Sequence, residues 1–367
     1  LSDALARVEL FALDLPYQSK VQFRSSQGAG GTYALLRLTT RDGAVGIAEV
    51  TGIPNVPDSD PVVLAAQFDR FFRPLLAGAD PLDHSGVLAA LERVRGGAIA
   101  KALIDTALWD LRGRIFGAPV WRLLGGSPPA PVPVTAILFG DTAAAMLEDA
   151  ERTVARGIRA LKVKLWRHSI DDVYLIRDIR AAVGDDILIY ADANHAYSEG
   201  EARALLPQLA AYGVAFIEDP CSLPAERLAL LSRELPIPIL GEIPIDSLAT
   251  AQRYIELQAV GALSLHLRRT GVTETLKIVA SCEAAGLPAI VGTDLEAGIG
   301  ALARLHVRAS IPSLAAWPSE IQFFERLAGD VLAEPLAVVD GAIAVPDRPG
   351  FGASIDATKL ERYRANG

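Results

Sequence analysis

The chain has 367 residues, enough for about two domains. Its composition, 51% hydrophobic and 22% charged, is that of a folded chain and excludes disordered, collagen-like and disulfide-stapled scaffolds. A net charge of −9 with no basic block argues against nucleic acid and anionic membrane as partners.

The opening LSDALARVELF carries neither a basic n-region nor a cleavage site. No apolar run approaches the roughly 18 residues of a membrane span. Strands are expected over VELFALDL (8–15) and YALLRLTT (33–40), with the RDG turn (41–43) leading into a third. The pattern turns helical near residue 61. AKALIDTALWDLRGRIFG reads as one helix stopped by Gly117. SPPAPVP (127–133) is a linker. Eight short β-like runs then alternate with amphipathic helices: 132–138, 160–165, 187–192, 214–219, 236–242, 262–266, 288–294 and 314–320. That alternation predicts an α/β fold with a parallel (β/α) barrel. A doubly wound sheet is disfavoured, because the turn after the first of these strands, FGDTAAA, is not the glycine-rich phosphate turn. Cys221 and Cys282 read as buried thiols of a reducing cytoplasm.

Lys164, Asp192, Glu218, Glu242, His266, Asp294 and Glu320 end successive strands at intervals of 28, 26, 24, 24, 28 and 26 residues. Each interval is one β/α unit, so the barrel gathers the seven at one mouth. Three converging carboxylates, Asp192, Glu218 and Glu242, repel one another unless a cation joins them, and an oxygen-only set suits Mg²⁺. Lys162 and Lys164 share a strand face, and two neighbouring ammonium groups lower each other's pKa, leaving one to act as a base.

ALKVKLW, YADANHAYS, FIEDP and ILGE, in this order and spacing, resemble the enolase superfamily in its muconate-lactonizing and mandelate-racemase branches. KALIDTALWDLRGRIFGAPVWRLLGG, GTDLEAGIG, PSEI and PLAVVDGAIAVPDRPGFG (335–352) extend the resemblance over nearly the whole chain. It implies a (β/α)7β modified TIM barrel at 129–325, an α+β capping domain at 1–128, and a segment at 326–367 that returns to the cap. It also implies a small carboxylic-acid substrate, a homo-oligomer and an enediolate intermediate formed with Mg²⁺. Asp192, Glu218 and Glu242 match the metal ligands. Lys164 matches the base that removes the proton α to the carboxylate, and Lys162 the lysine that tunes it.

Departures from the family pattern leave the reaction open. The lactonizing branch usually has lysine where this chain has His266. With Asp294 one strand on, His266 forms a candidate His–Asp dyad, either a second acid/base or a pocket residue. Arg269 reads as structural, and Arg268 as solvated or pointing into the barrel wall. Glu320, Lys20, Arg24 and Trp166 are candidate substrate contacts. Gln18 joins Lys20 and Arg24 as a partner for a second carboxylate, on a loop expected over 17–31, with a second specificity loop over 50–60. The expected function is a metal-dependent isomerase, a cycloisomerase or a racemase/epimerase. A dehydratase is the alternative, and a Schiff-base lysine enzyme and a non-catalytic barrel are the remaining classes.

Overall fold

The computed structural model describes residues 4–365 apart from 23–26, 55, 141 and 166–168, and excluding the side chains of Lys20, Gln22 and Gln27. The chain opens with an antiparallel meander of β1 (Leu5–Gln22), β2 (Gln27–Thr40) and β3 (Val45–Gly52). β1 and β2 run further than the sequence suggests. Their pairing continues to Val21 and Gly28, across residues expected to form a loop. Glycine permits this approach: a Cβ on Gly30 would lie 2.9 Å from the Leu15 carbonyl oxygen. The helix Ala98–Phe116 buries Leu103, Ile104, Ala107 and Leu111 against this sheet. It ends at Gly117, whose φ of 63° is the left-handed conformation that favours glycine.

A short β4 (Val132–Pro133) precedes the barrel. Its staves are β5 (Thr135–Leu138), β6 (Ala160–Lys164), β7 (Leu188–Asp192), β8 (Val214–Glu218), β9 (Ile239–Gly241), β10 (Ala262–Leu265) and β11 (Ala289–Val291). They lie side by side in chain order, every pairing parallel. The run 314–320 does not form an eighth ladder strand. Residues Pro312–Ala316 make a 3₁₀ turn, and Pro318 has no N–H to give. Two residues close the ring instead. Ser319 bonds to both Thr135 N–H (2.8 Å) and the Pro133 carbonyl (3.0 Å), and Glu320 N–H reaches the Val291 carbonyl (3.0 Å).

Alternation along the staves fills the barrel and places its polar ring. Tyr190, Phe216, Leu240, Ala262 and Ile290 pack together inside, with the Trp317 ring 4.7 Å from that of Phe216. Two residues further on, the same face carries Asp192, Glu218, Glu242, Ser264 and Gly292. β12 (Ala342–Ile343) pairs with β4, and the C-terminal stretch then returns to the meander. Ala365 N–H bonds to the Ala12 carbonyl at 2.9 Å, Ala328 N–H to that of Pro16 at 2.7 Å, and Phe351 N–H to Asp110 at 2.6 Å. Cys221 and Cys282 are buried free thiols, as expected. Among the described residues, no helix is long and apolar enough to cross a membrane.

Candidate active site

A cleft of about 640 Å³ opens where the staves end. Ile53, Pro54 and Val56, which follow β3, and Ile99 of the long helix cover it from the N-terminal side. Its floor and walls bring together Lys162, Lys164, Asp192, Glu242, Arg268, Arg269 and Asp294. Of the loop expected over 50–60, residues 50–52 finish β3, and Ile53, Pro54, Val56 and Asp58 border the cleft.

Lys164 ends β6 in register with Asp192, which is in register with Glu218. Its Nζ lies 2.5 Å from Asp192 Oδ2 and 2.9 Å from Asn194 Oδ1. Asp192 turns its other oxygen to the Asn194 N–H at 2.8 Å, a local turn that holds both residues at the mouth. Asn194 (φ 44°), Asp219 (φ 41°) and Leu295 (φ 67°) take the left-handed conformation just past their strands, as residues pinned by functional surroundings often do.

Lys162 lies deeper, and carboxylates surround it. Its Nζ is 2.8 Å from Glu218 Oε1, 3.1 Å from Glu320 Oε2 and 3.2 Å from Asp192 Oδ2. Burial opposes its charge, but Glu218, Glu320 and Asp192 outweigh that and hold the ammonium well above the usual lysine range. The sequence reading, which weighed only the two lysines, expected mutual depression. Burial would raise Asp192, yet Lys164 and Lys162 hold it at about 2. Burial pushes the Glu218 carboxyl well up. Lys162 opposes this, while Asp192, Glu320 and Glu242 add to it.

Glu320 is seated beneath Lys162 and the Tyr190 hydroxyl, both hydrogen-bonded to it, rather than at the mouth. Its backbone belongs to the ring closure, so its side chain faces the barrel interior. Lys20's side chain, Arg24 and Trp166 lie outside the described residues. Gln18 Nε2 donates to the Leu327 carbonyl at 3.2 Å.

On the far side of the ring, His266 is buried and does not border the cleft. Its Nδ1 approaches Asp294 Oδ2 to 2.9 Å without the alignment of a hydrogen bond, and its Nε2 lies 3.1 Å from Ser264 Oγ. Gly292 makes room for it, since a Cβ there would lie 2.4 Å from His266 Nε2. Asp294 also faces Arg268 (2.9 Å), Arg269 (3.4 Å) and Arg304 (3.8 Å). Burial would raise its carboxyl, but Arg268, His266 and Arg269 hold it well below the usual range. Arg269 clasps Glu242 through the side chain and through its carbonyl at 2.7 Å.

Two sets of donors are candidates for a metal. Glu242, His266 and Asp294 have ligand atoms within 4.8 Å of one another. Glu242 and Asp294 carry guanidinium partners, just as Asp192 and Glu218 carry the Lys162 and Lys164 ammonium groups, so standing positive charge does not separate the two sets. Asp192, Glu218 and Glu242 offer oxygen only, on three adjacent staves, and Glu218 Oε2 is buried with no hydrogen-bond partner. Asp294 Oδ2 and His266 Nδ1 are unpaired as well, so it is the oxygen-only donor set that fits a hard divalent cation better than one with an imidazole.

Asn194, Asp219, Tyr190 and the position of Arg268 escaped the sequence reading. Asp219 is buried, and its two oxygens accept the N–H groups of Glu242 (3.0 Å) and Ile243 (2.6 Å). The signal was present for three of them. Asn194 and Asp219 adjoin expected ligands, and Tyr190 shares Asp192's face.

Comparison with known proteins identifies the family. Residues 145–359 match the "Enolase C-terminal domain-like" family model, and residues 8–125 the "Mandelate racemase / muconate lactonizing enzyme, N-terminal domain" model. A chloromuconate cycloisomerase of Pseudomonas putida is 31% identical, covering 98% of this chain and 99% of that one. Muconate cycloisomerase 1-1 of Acinetobacter lwoffii is 28% identical, over 100% and 98%. The crystal structure of a muconate lactonizing enzyme from Pseudomonas fluorescens with muconolactone superposes with a TM-score of 0.95 at 30% identity, covering both chains fully. The chain belongs to the mandelate racemase/muconate lactonizing enzyme family of the enolase superfamily and is a metal-dependent isomerase.

Proposed function

We propose that the chain is a Mg²⁺-dependent cycloisomerase of a muconate-type dienoic dicarboxylate, with Lys164 as its single proton donor and acceptor. The relatives' activities support the substrate class. One observation carries the one-base mechanism. Lys164 reaches the cleft, whereas the wall across from it presents Arg268 and Arg269, which do not give up protons near neutral pH. His266, the candidate second acid/base, is not among the residues that line the cleft and packs against Asp294 and Ser264 instead.

Asp192, Glu218 and Glu242 would hold the Mg²⁺, which when bound supplies Lewis-acid stabilisation of the charge that grows on the substrate carboxylate. Lys162, kept cationic by its carboxylates, adds a charge-assisted hydrogen-bond donor for the same oxygen atoms. In the lactone-forming direction the second carboxylate adds to the β-carbon, and Lys164 delivers a proton to the α-carbon. In reverse, Lys164 removes that proton and the lactone C–O bond breaks. Asp192 and Asn194 aim the Lys164 ammonium. Ile53, Val56 and Ile99 keep water from the reacting carbons.

The test is turnover of cis,cis-muconate in deuterated buffer with Mg²⁺. Diene absorbance should disappear, and the lactone should carry one deuterium on one face of the α-carbon. Lys164→Ala should abolish both while still binding Mg²⁺. No turnover of muconate or chloromuconate, or deuterium on both faces, would overturn the reading.

A further inference from the structure

We propose that Arg268 is the anchor for the substrate's second carboxylate and so selects dicarboxylates; the proposal rests on the substrate class argued above. Among the described residues the cleft offers few cations for such a group. Lys162 and Lys164 are engaged with Asp192, Glu218 and Glu320 at its floor. Arg269 is committed to Glu242, Ile243 and Asp294. Arg268 differs. It is 7% exposed, borders the cleft, and among the described residues makes one hydrogen bond, Nη2 to Asp294 Oδ1 at 2.9 Å.

A guanidinium carries five N–H donors in a rigid fork, so Arg268 keeps unspent donor capacity beside the cleft. Its Nε is buried and has no hydrogen-bond partner, so only part of the fork is spent. Asp294 does not cancel it, since that one carboxylate is shared with His266, Arg269 and Arg304. Arg268 is therefore held in place by Asp294 without being neutralised by it. Its place in the fold also suits a bifunctional ligand. Lys164 ends the second stave and Arg268 follows the sixth, so the two lie on opposite sides of the ring with the apolar carbon chain between them. A ligand with a carboxylate at each end meets a cation at each end.

Calorimetric binding of adipate and hexanoate to the Mg²⁺-loaded protein tests this without turnover, because the two six-carbon acids differ by one carboxylate. The wild type should bind adipate more tightly. Arg268→Met should weaken adipate by about ten- to a hundredfold, the range for a lost charge-assisted bond, and leave hexanoate unchanged. Arg268→Lys, which keeps the charge but not the fork, should fall between. Unchanged hexanoate binding shows that the variant site is intact. The proposal fails if the wild type shows no preference for adipate, if the preference survives Arg268→Met, or if both acids weaken equally. Adipate preference without muconate turnover would reject the cycloisomerase reading and leave Arg268 as the anchor.

Discussion

Replacing Asp219 by alanine should damage metal binding although Asp219 is not a proposed ligand. Its carboxylate receives the main-chain N–H groups of Glu242 and Ile243, and so holds the exit of β9 in the shape that points Glu242 inward. Alanine leaves both buried donors without a partner. Each orphaned donor costs about 1–3 kcal/mol, so the loss is about 2–6 kcal/mol, toward the lower end if a water enters the space vacated by the carboxylate. Much of that penalty is relieved if the loop turns its donors toward solvent. Such a turn would carry Glu242 away and convert lost stability into lost Mg²⁺ affinity. Urea unfolding and Mg²⁺ titration on the same variant measure the two shares. The reasoning is refuted if Asp219→Ala keeps both its unfolding midpoint and its Mg²⁺ affinity.

Glu218→Gln, nearly isosteric, should abolish Mg²⁺ binding in a calorimetric titration; wild-type affinity would remove Glu218 from the ligand set. His266→Asn should keep turnover within about tenfold, since loss of a true acid/base typically costs 10²–10⁴; a collapse of kcat with the fold intact would restore the two-base mechanism. His306 gives a pH signature. Burial pushes its imidazole down to about 3, against about 6.5 in the unfolded chain. The fold refuses a proton that the unfolded chain accepts, so this contribution is complete above about pH 6.5 and is lost as pH falls toward 3, by about 3 kcal/mol at pH 4. His306→Gln should flatten that limb of the pH–stability curve, and an unchanged slope would reject the assignment.

The barrel and its polar ring were legible because both depend on short-range rules. Stave spacing sets the period, and alternation within a stave puts Tyr190 and Asp192, or Phe216 and Glu218, on one face. What stayed hidden depends on partners distant in sequence. Asp219 serves an N–H group 23 residues later. The charge state of Lys162 depends on Glu320, 158 residues away. Arg268 and Arg269 are adjacent and both border the cleft, yet Arg269 clasps Glu242 and the loop after it while Arg268 bonds Asp294. The hairpin was read short because its glycines look like loop residues, whereas here they allow close pairing of β1 and β2.

The two-residue ring closure has a consequence for how the molecule is made. Until Ser319 and Glu320 arrive, β5 and β11 are the bare edges of an open sheet, with unpaired main-chain groups of the kind that recruit other chains. Closing over so long a stretch is entropically slow. During that interval Lys162 also lacks Glu320, one of the three carboxylates that fix its charge. Ring closure and the electrostatics of the catalytic floor are therefore completed by the same residue. Substitutions near Pro318–Glu320 should show themselves first as aggregation during synthesis, before any kinetic defect in the molecules that do fold.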